Sequence, residues 1–250
     1  MTHFPLALPL LALLSGPLAA AEAPDARRYA DCLDLARQRP ADGWEAALAW
    51  QSLGGGEAAR HCGAVALIGL EQYGEAATRL EALAGSSHAE PRLRAGMLAQ
   101  AAQGWLLEGR LERAVAAQTV ALGLTPDDPD LLVDRAMALA EAANYGEARS
   151  DLDRALAIAP DRPDALTLRA SAHRYLDDAA AARRDVDRAL ALDPRFADAY
   201  VERGILRRLD GDVAGARRDW LAALGVAAPE SAAAESARRN IEKIDVKAGR

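Results

Sequence analysis

Small and large apolar positions recur along this chain at a fixed spacing. Pro126, Pro160 and Pro194 lie 34 residues apart, and each closes a related stretch: ERAVAAQTVALGLTP, GEARSDLDRALAIAP and AAARRDVDRALALDP. A fourth copy, AGARRDWLAALGVAAP, ends one residue late at Pro229. With the prolines set at position 32 of a repeat, position 8 is Ala102, Ala136, Ala170 and Gly204. Position 20 is Ala114, Ala148, Ala182 and Ala216, and position 27 is Ala121, Ala155, Ala189 and Ala223. Larger residues alternate with these: Leu98, Leu132, Leu166 and Tyr200 at position 4, and Gln118, Leu152, Val186 and Trp220 at position 24. Two antiparallel helices cross closely where both carry small side chains, and large neighbours then fill the grooves. The spacing therefore predicts stacked helix hairpins. Each proline ends a second helix, because it cannot continue one. Asp130, Asp164 and Asp198 are expected to open the following first helices as N-caps.

Outside residues 95–229 the pattern loosens. EQYGEAATRL echoes ANYGEARSDL, which predicts a degenerate hairpin with helices near 57–71 and 74–84 and a turn from Gly85 to His88. YADCLDLARQR and GWEAALAWQSL predict one more hairpin over residues 25–53, ended by Gly54-Gly55-Gly56. The stretch ESAAAESARRNIEKID, with Ile241 and Ile244 on one face, reads as an amphipathic cap over the last exposed seam. The count is about six hairpins and a cap, ~13 helices.

Composition supports helices over sheet. Alanine, leucine, arginine and glutamate form helices readily, whereas β-branched residues are scarce. Aromatics make up only 4% of the chain, which favours many thin helix seams over one thick core. The net charge is −7, and Lys243 and Lys247 are the only lysines. With no basic stripe, nucleic acid is not an expected partner.

Residues 4–14, FPLALPLLALL, are apolar and are followed by Ser15, Gly16 and Ala19-Ala20-Ala21. That layout reads as a secretory signal over residues 1–21, cleaved near Ala21, although only the terminal amine and His3 supply positive charge before it. The run is too short to span a bilayer, which needs ~20 residues. Export, to the periplasm or beyond, changes the reading of Cys32 and Cys62. An even count in an oxidising compartment favours a disulfide over two small buried thiols. Such a bridge would contribute roughly 3–4 kcal/mol by restricting the unfolded chain.

No grouping points to chemistry. His3, His61, His88 and His173 show no metal-ligand spacing. Gly54-Gly55-Gly56 lacks a following Gly-Lys-Ser/Thr and a preceding strand, so it is a turn and not a phosphate cradle. No serine sits in a Gly-x-Ser-x-Gly context. No cofactor, metal or catalytic residue is expected.

The small residues at 8, 20 and 27 with proline at 32 resemble the tetratricopeptide repeat family. The resemblance is specific over 95–229. It implies an all-α, right-handed superhelical solenoid. The divisions are then a signal at 1–21, divergent hairpins at 22–90, four repeats at 91–229 and a cap with tail at 230–250. The chain departs from the family's usual Leu at position 7, where Arg135, Arg169 and Arg203 stand. Position 23 of the same repeats is Asp151, Asp185 and Asp219, while the first repeat has Ala101 and Ala117. Both charges are missing together there, so we expect structural Arg–Asp pairs linking the helices of a hairpin or of neighbouring hairpins.

In this family the first helices line a concave groove that holds peptides or partner domains. Carried to this sequence, the lining is Gln103, Met137, Thr167, Ser171, Arg174, Ile205 and Arg208, with Tyr175 beside it. Arg174 and Arg208 could hold a carboxylate or an acidic segment. The family's Lys/Asn clamp for C-terminal carboxylates is not reproduced. The resemblance implies a non-catalytic scaffold of the cell envelope that binds a protein or peptide. The alternative is an accessory or substrate-binding subunit of an envelope enzyme acting on peptidoglycan or polysaccharide, with Tyr175 or Trp105 touching glycan.

Overall fold

A computed structural model describes residues 24–248. The expected signal at 1–21 lies outside the described residues. Six hairpins follow one another: α1 (Pro24–Gln38) with α2 (Pro40–Ser52), α3 (Gly56–Gly69) with α4 (Tyr73–Ser86), and α5 (Pro91–Leu107) with α6 (Leu111–Leu124). Then come α7 (Pro129–Glu141) with α8 (Tyr145–Ile158), α9 (Pro163–Tyr175) with α10 (Ala179–Leu192), and α11 (Ala197–Leu209) with α12 (Val213–Val226). A last helix, α13 (Ala232–Ala248), closes the array. No strand occurs among the described residues. The fold is an all-α superhelical solenoid.

Packing follows the small-and-large pattern. Every alanine at positions 8, 20 and 27 is buried, and so is Gly204. Leu132, Leu152, Leu166 and Val186 fill the space between them and are fully buried. One apolar seam runs from Ala84 to Leu206. Its N-terminal neighbour is built on Trp50, Ala59 and Cys62. At the C-terminal end Ala233, Ala237 and Ile244 of α13 cover Val201 and Trp220. Without α13 those apolar groups would face water.

From the second hairpin on, each turn between a first and a second helix uses the same backbone device at repeat position 15. Glu71, Gly109, Ala143, Asp177 and Gly211 have φ between 59° and 86°. The next amide in each turn bonds back five residues, as Asn144 does to the Leu139 carbonyl at 2.8 Å and Asp178 to the His173 carbonyl at 2.9 Å. This left-handed cap satisfies orphan carbonyls and reverses the chain. Only two of the five positions are glycine, so the sequence did not announce it.

Two expectations need correction. Asp130, Asp164 and Asp198 are not N-caps but sit in the first turns of α7, α9 and α11. Pro129 and Pro163 take the first helical position, where a missing N–H costs nothing and φ is already helical. The cap of α7 is Asp128, which accepts from the Asp130 and Leu131 amides at 3.0 and 3.4 Å. The three aspartates still complement the positive helix end. The turn expected at Gly85–His88 begins later, because α4 runs to Ser86 and Ala84 is packed in the core. Ser87 is buried there and donates to Glu57 at 2.6 Å.

Candidate partner-binding wall

Three arginines at position 7 tie the repeats together. Arg135 places Nε and Nη2 each 2.7 Å from the two oxygens of Asp151. Arg169 does the same to Asp185 at 2.7 and 2.7 Å, and Arg203 to Asp219 at 3.0 and 2.8 Å. These forks join the first and second helix of one hairpin. Each guanidinium also reaches the preceding hairpin: Arg135 donates to Thr119 at 3.3 Å, Arg169 to Asp153 at 2.8 Å, and Arg203 lies 3.6 Å from Asp187. One arginine thus holds three helices. The carboxylates are buried, and hydrogen bonding to them is the main reason the three guanidinium pKa values are raised. These residues are structural and turned away from solvent.

The divergent end is held differently. Cys32 of α1 and Cys62 of α3 form a disulfide with their Cα atoms 6.1 Å apart. Beside it the Tyr29 hydroxyl lies 2.7 Å from His61 Nδ1, and His61 Nε2 lies 3.0 Å from Gln100 Oε1. Since the amide oxygen can only accept, the imidazole proton sits on Nε2 and Tyr29 donates to Nδ1. The chain of bonds crosses α1, α3 and α5. Burial lowers the His61 pKa, with the Gln100 bond opposing and Arg37 adding to it.

The wall formed by the first helices of the repeats is the candidate site. Its expected lining is only partly surface. Gln103, Met137, Tyr175 and Arg208 are exposed; Ser171 and Ile205 are half-buried, Ile205 against the C-terminal core. Thr167 is buried and donates to the Pro163 carbonyl at 2.8 Å, so it does not line the wall. Trp105 is buried too. It donates to Glu81 at 2.8 Å beneath the Arg113 guanidinium, and offers no ring to a glycan.

Arg174 is the larger correction. Its guanidinium bonds Glu202 of the next first helix at 2.6 and 3.3 Å and Ser171 at 3.0 Å. Glu202 is itself buried. An arginine so engaged has little left for a ligand carboxylate, so the pair expected from Arg174 and Arg208 is not available. Arg174 also covers the ring of Tyr175 at 4.2 Å. On Tyr175 stacks Tyr145, the first residue of α8, with centroids 4.1 Å apart and planes 3° from parallel. Of the two rings Tyr175 is the more exposed, and Tyr145 is half-buried.

Around this stack acidic and basic groups are interleaved. Just before α9, Arg162 sits between Asp130 and Asp164, at 2.5 and 2.6 Å. Its hydrogen bond is the main reason the Asp164 pKa is lowered. Burial raises the pKa of Asp134, and the neighbouring charge of Asp130 adds to the rise. Glu141 is exposed and holds in α7 the place Tyr175 holds in α9. Desolvation raises the Tyr145 pKa, with Tyr175 contributing next and Glu141 last. Tyr145, Glu141 and Glu202 were not singled out in the sequence: Glu141 and Glu202 do not recur at their repeat positions, and Tyr145 is matched only by Tyr73 of the degenerate hairpin. No group of three or more His, Cys, Asp or Glu among the described residues could hold a metal ion. No helix there is long and apolar enough to cross a membrane.

Residues 105–173 match the tetratricopeptide repeat family. That stretch is a tetratricopeptide-repeat segment. Among solved structures this repeat solenoid is similar to the C-terminal part of a tetratricopeptide repeat-containing protein from Cytophaga hutchinsonii, at 14% identity and a TM-score of 0.62, covering 80% of each chain. It is also similar to MamA, residue 41 to the end, from Desulfovibrio magneticus RS-1, at 19% identity and a TM-score of 0.56, covering 65% of this chain and 90% of that one. At such identities the likeness concerns the fold. No curated protein matches the sequence of this repeat protein.

Proposed function

We propose that this repeat protein is a non-catalytic scaffold of the cell envelope that holds a protein or peptide against the wall of its first helices. The observation that carries the reading is the row of exposed apolar groups on that wall: Leu107, Met137, Tyr175 and Leu209, each at least 44% exposed. They stand on four successive first helices, and exposed apolar surface can mark an interaction site. The Cys32–Cys62 bond supports an oxidising compartment, since disulfides persist there and are rare in the cytosol. The short apolar run at 4–14 supports export in the same direction.

The reading is tested by co-purification from the native cells under oxidising conditions. Met137→Glu and Leu209→Glu are expected to abolish recovery of the partner while leaving the melting temperature unchanged. Equal recovery from both variants would contradict it.

A further inference from the structure

We propose that the cleft between α4 and α6 binds a free aliphatic carboxylic acid, with its carboxylate forked onto Arg94 and its chain laid on an apolar floor. The cleft lies on the second helices, so the proposal goes beyond the scaffold reading and does not depend on it.

Three observations lead to it. First, this gap between second helices is open where two later gaps are bridged. Between α6 and α8, Arg154 at position 26 reaches back to the Pro126 carbonyl at 2.9 Å. Between α8 and α10, Arg188 at the same position reaches the Pro160 carbonyl at 2.9 Å. In α6 that position is Val120, and position 23, an aspartate in the three later repeats, is Ala117. No arginine of α6 crosses to α4, and a cleft of about 280 Å³ is left between them.

Second, the cleft is apolar inside. Ala84, Leu98 and Ala117 line it and are buried, while Ala116 and Val120 line it and are exposed. An apolar cavity of roughly 150 Å³ is enough to hold a benzene ring. This cleft therefore has room for a chain of several carbons, whose methylene groups gain by leaving water. A sugar would set its hydroxyls against this floor without partners.

Third, the cleft carries one unanswered charge. Arg94 lines it and donates Nε to the Ala84 carbonyl at 2.8 Å, but enters no ion pair among the described residues. Arg162 holds the same position two repeats later and takes two carboxylates, Asp130 and Asp164. Where Asp164 follows Arg162 by two residues, Gly96 follows Arg94. Glu81, the one carboxylate lining the cleft, is already engaged: Trp105 donates to it at 2.8 Å and Arg113 at 3.3 Å. A guanidinium matches a carboxylate in shape and charge. Arg94 thus selects an acid head and the floor selects an aliphatic tail.

The test is isothermal titration calorimetry of the full chain with octanoate, against acetate, octanol and octylamine. Octanoate is expected to bind saturably at one site. Acetate lacks the chain and octanol the charge, so each should bind about tenfold more weakly or worse; octylamine should not bind. Arg94→Gln can keep the bond to the Ala84 carbonyl while losing the charge, and should weaken octanoate about tenfold. Val120→Asp alters an exposed side chain and sets a carboxylate beside the cleft, which should abolish binding. Met137→Glu, on the first-helix wall, should leave octanoate binding unchanged, and thermal melts of all variants verify folding. Absence of saturable octanoate binding would overturn the proposal. So would equal binding of octylamine, or octanoate binding that ignores both Arg94→Gln and Val120→Asp. A peptide with a free C-terminal leucine that displaces octanoate at lower concentration than octanoate itself requires would overturn the assignment to a free acid. None of these results bears on whether the wall holds a partner, which the co-purification reports separately.

Discussion

Gly204 shows how one residue answers another across a hairpin. The other repeats have alanine at this position. A Cβ on Gly204 would lie 2.3 Å from Trp220 Nε1, whose ring is fully buried and donates to the Val201 carbonyl at 3.1 Å. The last repeat has Trp where the others have Gln, Leu or Val, and it makes room by losing a methyl group. Gly204→Ala should destabilise by about 1–3 kcal/mol, measured by urea unfolding. Arg169 is a second case. Removing it leaves Asp185 buried without its fork, at a cost of about 3 kcal/mol. Arg169→Met with Asp185→Leu should recover most of that loss, because an apolar pair needs no desolvation. The paired charges were legible in the sequence since they repeat and vanish together in the first repeat. Glu202 was not, because it occurs once and a period shows only what recurs.

At the scale of the element, helix positions could be read to within a residue or two and their ends could not. The apolar period locates the middle of a helix, while its start depends on local competition. At α7 and α9 a proline won the first position and left the aspartates at the second, two places inward of the cap. At α4 the burial of Ala84 carried the helix past a glycine that looked like its end. The junction of α1, α3 and α5 depends on a single protonation state. His61 has a pKa lowered by burial from 6.5. The unfolded chain therefore binds its proton at higher pH than the folded one does. Stability from this group is present above about pH 6.5 and declines as pH falls from there toward the lowered folded value. Thermal unfolding followed from roughly pH 8 down to pH 5 should show this loss, and His61→Gln should flatten it.

Over the whole molecule, the architecture was legible because a solenoid repeats its own contacts, and each copy is independent evidence for the rest. The wall's chemistry was read less well. Family positions pointed to Arg174 and Arg208 as a carboxylate site, and the structure instead spends Arg174 on Glu202. A repeat array also unfolds in parts, so the disulfide should act locally. The bond joins residues 30 apart, and its reduction should cost the N-terminal hairpins roughly 3–4 kcal/mol. Melting with and without reductant should show an early transition for α1–α4 only in the reduced protein. The central claim concerns which surface meets the partner. Site-specific photo-crosslinking tests it most directly, with the reactive group placed in turn at Met137, Tyr175 and Leu209 on the wall, and at Val120 and Leu221 on the second helices. The account predicts one discrete adduct from the three wall positions and none from the other two; adducts from Val120 and Leu221 alone would contradict it.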